Sequence, residues 1–230
     1  MKLDRLLAKH HGMGRSRARQ LIATRQVLVD GCVVTRNEHE IDRFTRVEAA
    51  GELIAAPRRL LHLMLYKPVG VLSATSDPRH PTVIDLIDDP DRDSLHLVGR
   101  LDRGTSGLIL LTNDGRWSKY LMDPLHKVPK TYLLETADPI PATAVAAFTA
   151  GFHFHTEDIT TLPAVLEILD ARRARLTLHE GRYHQIKRMI HRIGTRVTSL
   201  HRESIGAIQL PPSMAPGQWR FLTPEEAAMA

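Results

Sequence analysis

Hydrophobic and polar residues alternate with more than one period along the chain, and the changes of period mark its elements. Leu3, Leu6 and Leu7 recur at helical spacing. A second helix is predicted to start at Ser16, whose hydroxyl caps backbone amides ahead of Ala18, Leu21 and Ile22. In VLVDGCVV, Asp30 and Gly31 separate two β-branched runs, which predicts a two-residue hairpin because glycine accepts positive φ. Residues 49–59, AAGELIAAPRR, mix small residues with Pro57 and two arginines and read as a linker. The expected organisation is a small domain over 1–48, a linker over 49–59 and a larger domain over 60–230.

The larger domain alternates short strands and helices. Residues 61–66 form a strand ended by Lys67 and Pro68, and 108–111 are apolar without alternation, as in a strand buried on both faces. A helix over 116–122 sets Trp117, Tyr120 and Leu121 on one face. Residues 141–150 are helical up to Gly151, 164–169 and 174–179 pair across a charged turn, and a helix over 184–193 is closed by Gly194. Strands over 197–200 and 207–210 follow, then a helix from Pro224 capped by Thr223. Hairpins outnumber strand–helix–strand units, so the fold class is α+β with a mixed or antiparallel sheet.

Composition narrows the partners. The 230 residues are 43% hydrophobic, enough for a small and a medium core, and 31 Lys and Arg against 26 Asp and Glu give a net charge of +5. That excess is concentrated. Arg15, Arg17, Arg19 and Arg25 line the polar face of the second helix and its end, a pattern suited to phosphate. Cys32 is the single cysteine, which excludes an intrachain disulfide and a thiolate zinc site. No metal is expected, since the pairs His10 and His11, and His153 and His155, lack acidic or thiol ligands at suitable spacing. The charged N-terminus and the absence of a long apolar run predict neither signal peptide nor membrane span, hence a cytoplasmic protein.

Candidate chemistry lies in residues 98–115, VGRLDRGTSGLILLTNDG, where Asp102 stands between Arg100 and Arg103 at the mouth of the buried strand. Two guanidiniums there favour the charged carboxylate and attract a phosphate backbone. A salt-bridged turn is the competing reading. Gly99 and Gly104 have the spacing of a nucleotide-binding P-loop, but Thr105 stands where that loop needs lysine.

GRLD followed by TSGL resembles the motif of RNA pseudouridine synthases. YKPVG at 66–70, DPRHPTV at 77–83, KTY at 130–132, EGRYHQIKRM at 180–189 and LHRESIG at 200–206 extend the resemblance nearly end to end. Within that superfamily the chain is most similar to the RsuA type, which acts on small-subunit ribosomal RNA. The first fifty residues resemble the RNA-binding domain named after ribosomal protein S-four. The resemblance implies a pseudouridine synthase catalytic domain with a bent, mostly antiparallel or mixed sheet, no cofactor, and conversion of uridine to pseudouridine in 16S rRNA at a position-516 type of site. It implies as partner 16S rRNA or a small-subunit assembly intermediate, met by a monomer without a membrane.

The same resemblance assigns roles. Asp102 is the catalytic carboxylate, a nucleophile in the broad sense that it attacks the nucleotide or stabilises its detached state. Tyr132 stacks on the target base and Leu200 packs beneath it. Lys187 stands where related enzymes have an aspartate-paired arginine, with Arg188 as the alternative. Arg100 braces the space left by the flipped base, and Arg103, Arg182 and Arg188 join Arg15, Arg17 and Arg19 in contacting RNA. The alternatives are action on 23S rRNA and a non-catalytic rRNA-binding assembly factor.

Overall fold

The computed structural model describes residues 1–229, which divide into two compact units at Leu60 and Leu61. In the first unit α1 (Leu3–Lys9) and α2 (Gly14–Ala23) precede β1 (Val27–Val29), β2 (Cys32–Val33), β3 (Val47–Ala49) and β4 (Glu52–Ala55). The strands form a sheet of order β2-β1-β3-β4. Leu3, Leu7, Ala18, Ile22, Val27 and Val47 close its core, each fully buried. Asp30 and Gly31 both adopt positive φ, and Val29 pairs with Cys32, so the hairpin forms where the DG pair places it.

Two expectations fail here. The second helix begins at Gly14 with Met13 before it and no side-chain cap, so Ser16 lies inside the first turn rather than capping it. The stretch 49–59 is not simply a linker. Val47–Ala49 and Glu52–Ala55 pair as a hairpin belonging to the first unit, with Ala50 and Gly51 both at positive φ in the turn.

The second unit contains β5 (His62–Lys67), β6 (His96–Val98), β7 (Ser106–Thr112), α3 (Gly115–Met122), β8 (Lys130–Thr136) and α4 (Ala144–Ala150). It continues with β9 (His153–Phe154), β10 (Ile159–Thr160), β11 (Val165–Ile168), β12 (Arg173–Leu178) and α5 (Gln185–Arg192). It ends with β13 (Val197–Ile205), β14 (Ile208–Gln209), β15 (Trp219–Phe221) and α6 (Pro224–Ala228). The large sheet runs β11-β12-β8-β13-β7-β5-β15, with β14 beside β13 and β6 beside β7. Every pairing is antiparallel except β13 with β7, which is parallel. Two antiparallel halves thus meet at one parallel junction.

The junction is β7, whose residues 108–111 are fully buried on both faces as their unbroken apolar run requires. Each such side chain contributes about 1.5–3 kcal/mol by leaving water. At its start the contact with β13 is so close that a Cβ on Gly107 would lie 2.3 Å from the Arg202 carbonyl oxygen. Thr223 caps α6 through a complete capping box with Glu226. On α3, Leu121 is buried and Trp117 half-buried, but Tyr120, expected on the same face, is exposed, with its ring tilted against that of His126.

Candidate active site

Asp102 stands in the irregular segment between β6 and β7, held from both sides of its backbone. Ser73 accepts a hydrogen bond from the Leu101 amide at 3.0 Å and donates to the Leu101 carbonyl at 2.7 Å, so one hydroxyl fixes the preceding residue. After Asp102 the chain turns, with the Thr105 amide donating to the Asp102 carbonyl. Lys67, fully buried at the end of β5, donates to the carbonyls of Thr105 at 2.8 Å, Pro68 at 3.0 Å and Arg103 at 3.5 Å. Burial pushes the Lys67 ammonium down to about 8; the Asp102 carboxylate opposes that shift and the Arg202 guanidinium adds to it.

The Asp102 carboxylate leaves this frame half-buried and meets α5. Lys187 Nζ donates to Oδ2 at 2.7 Å, and His184 Nε2 lies 3.5 Å from Oδ1. His184 has φ of 48°, a left-handed backbone that few residues other than glycine adopt. A polar clamp supports it. Buried Glu180 accepts from the Leu162 amide, from Gln185 Nε2 at 2.7 Å and from Arg182 Nε at 2.9 Å, while Gln185 Oε1 accepts from the Arg182 amide.

Leu101, just before Asp102, and Ile186, just before Lys187, both enter an apolar cluster. Leu101, Tyr132, Leu134, Leu176, Ile186 and Leu200 belong to one buried cluster. Tyr132 on β8 pairs in register with Arg202 on β13, and Leu134 with Leu200, so the four side chains share one face. Arg202 is buried; its Nε donates to the Leu108 carbonyl at 2.7 Å and its Nη1 lies 3.5 Å from the Tyr132 hydroxyl. Its Nη2 is buried with no hydrogen-bond partner among the described residues.

The arginines expected around Asp102 go elsewhere. Arg103 Nε donates to the Gly70 carbonyl at 3.1 Å. Arg100 is exposed and lines a groove of about 440 Å³ with Ser73, Thr75, Ser76, Gly99 and Met122. The charge partner of Asp102 is therefore Lys187 from a distant helix and not the flanking guanidiniums. Arg188 forms a bidentate pair with Glu157, both bonds 2.7 Å, and lies 3.6 Å over the Phe154 ring. Arg182 is tied to Glu180 as described, and Arg15, Arg17 and Arg19 are exposed on α2 of the first unit.

Sequence reasoning gave no role to His184, Ser73 or Arg202, and took Lys67 as the end of a strand. A signal for Arg202 was present: it lies two residues after Leu200, hence on the same strand face. For Ser73 no local pattern distinguishes it from other loop serines.

The arrangement is a carboxylate on a hydrogen-bonded loop paired with one lysine, next in sequence to residues of a buried aliphatic and tyrosyl cluster. The pattern of the RNA pseudouridylate synthases matches residues 61–192, and the chain belongs to that family. Among its relatives, the ribosomal small subunit pseudouridine synthase A of Pseudomonas aeruginosa is 50% identical over 226 residues, 98% of each chain. The protein of the same name from Escherichia coli K12 is 41% identical over 228 residues, 99% of each chain. A solved structure described as a pseudouridylate synthase superposes with a TM-score of 0.73 at 38% identity, covering 100% of this chain and 99% of the other.

Proposed function

We propose that the protein isomerises one uridine of 16S rRNA to pseudouridine during small-subunit assembly, at a position-516 type of site. The observation that carries this reading is the Asp102–Lys187 pair of 2.7 Å, whose sequence neighbours Leu101 and Ile186 share one buried cluster with Tyr132 and Leu200. The subunit assignment is supported by relatives named for the small ribosomal subunit that match this chain from end to end.

The reaction breaks the bond between ribose C1′ and uracil N1, turns the base, and joins C5 to C1′. No atom is gained or lost except that the C5 proton leaves and N1 takes one up. Asp102 is the nucleophile, or the anion that stabilises the detached state, and Lys187 holds its carboxylate in place. Tyr132 presents its ring to the base and its hydroxyl to the C5 proton, and Leu200 supports the base from below. Arg100, in its groove beside the loop, occupies the space the base vacates. With Arg103 held by Gly70, Arg182 by Glu180 and Arg188 by Glu157, the main grip on rRNA phosphates falls to the first unit, through Arg15, Arg17 and Arg19. Within this reading no step calls for a metal or an organic cofactor.

Asp102→Ala is expected to abolish pseudouridine formation in 16S rRNA while leaving RNA affinity within about three-fold, since phosphate contacts supply most of that affinity. Pseudouridine mapping after incubation with undermodified small-subunit RNA checks it. Turnover by the variant would reject Asp102, and modification confined to 23S rRNA would reject the subunit.

A further inference from the structure

Tyr183 is 77% exposed and plays no part in the chemistry above. Its ring lies flat on that of His184, with centroids 4.0 Å apart and planes inclined by 18°. Since His184 Nε2 is 3.5 Å from Asp102 Oδ1, this flat aromatic surface begins one side chain from the carboxylate. The segment carrying it is held firmly: Glu180 and Gln185 bond the turn from within, and His184 is kept in a left-handed conformation. The fold thus fixes in water a ring whose burial would be favourable.

An occupant follows from the reaction. A target uridine drawn out of its stack leaves the bases on either side of it with uncovered faces, and an aromatic side chain near the site can cover one of them. Arg182, next to Tyr183 in the sequence, keeps 42% of its side chain exposed beside its bond to Glu180, a cation suited to a phosphate of the same strand. We infer that the Tyr183–His184 stack is a platform for the nucleobase adjoining the target uridine. This inference rests on the pseudouridine synthase reading.

The test uses full-length protein and a small-subunit RNA fragment containing the target, with affinity read by filter binding and turnover measured separately. Tyr183→Ala is expected to weaken affinity and raise KM about ten-fold, the size of one lost base–aromatic stack, with kcat changed less than about two-fold. Tyr183→Phe keeps the ring and restores affinity. RNA made abasic at the stacked neighbour should cost the unaltered protein the same factor and cost Tyr183→Ala nothing further.

Unchanged affinity of Tyr183→Ala overturns the platform, as does an equal penalty on intact RNA and on RNAs abasic at either neighbour. A fall in kcat at constant KM also overturns it, because the ring would then serve only to seat His184. Affinity needs no turnover. Absence of pseudouridine with the unaltered protein would therefore reject the activity, while the abasic comparison would still decide the platform.

Discussion

Lys187 and Arg188 are neighbours in sequence and turn to different acids, Asp102 and Glu157. Successive residues on a helix point about 100° apart, so only one of them can meet a given partner. The motif alone left both open, because which residue faces Asp102 depends on the rotation of α5, and that rotation is set by Glu180 and Gln185. With Lys187 as the residue that orients the charge, Lys187→Met should lower kcat by about 100-fold or more. Arg188→Met should lower it by less than about ten-fold, as its guanidinium already lies against Glu157 and Phe154. Single-turnover rates at saturating RNA separate the two, and the reverse ranking would exchange their roles. The pairing of Asp102 with a cation of α5 was readable because each of the two residues sits in a short ordered motif. For Arg202 the spacing from Leu200 gives the strand face, but nothing in VTSLHRESI says that this face is buried.

At the scale of elements, legibility followed turn chemistry. The hairpin at Asp30 and Gly31 and the helix at Thr223 and Pro224 carry residues that fix their own backbone, and both formed where the sequence places them. The hairpin of β3 and β4 turns on Ala50 and Gly51, and alanine at positive φ announces nothing. Gly107 shows the same limit in a strand. Its φ is 110° and its α-carbon faces the Arg202 backbone, a requirement created by a strand about a hundred residues further on. Gly107→Ala should therefore destabilise the second unit by about 3 kcal/mol or more, combining a forbidden backbone with a clash against main chain. Chemical denaturation followed by circular dichroism measures this; a loss under about 1 kcal/mol would mean that β7 and β13 separate easily.

For the whole molecule, charge is unevenly allotted. The first unit carries Arg15, Arg17 and Arg19 exposed on one short helix, Arg19 within 3.9 Å of Asp4, whereas Arg182 and Arg188 of the second unit are each hydrogen-bonded to a glutamate. If the first unit supplies the grip on RNA, replacing Arg15, Arg17 and Arg19 together by alanine should flatten the slope of log affinity against log salt by about 2–3. Turnover at saturating RNA should be preserved, and an unchanged slope would move the grip elsewhere. Among the described residues no helix is long and apolar enough to cross a membrane.

The long sequence separation of the site's contacts also sets a timetable for synthesis. Asp102 waits for a lysine 85 residues further along, and Ser106 for a histidine 95 residues further along. At roughly 5–20 residues per second, a translating ribosome extends the chain for on the order of 4 to 17 s between making Asp102 and making Lys187. The first unit is complete well before that. A nascent chain therefore presents its arginine-bearing helix before it has an assembled carboxylate–lysine pair, which is completed only as the last quarter of the protein is made.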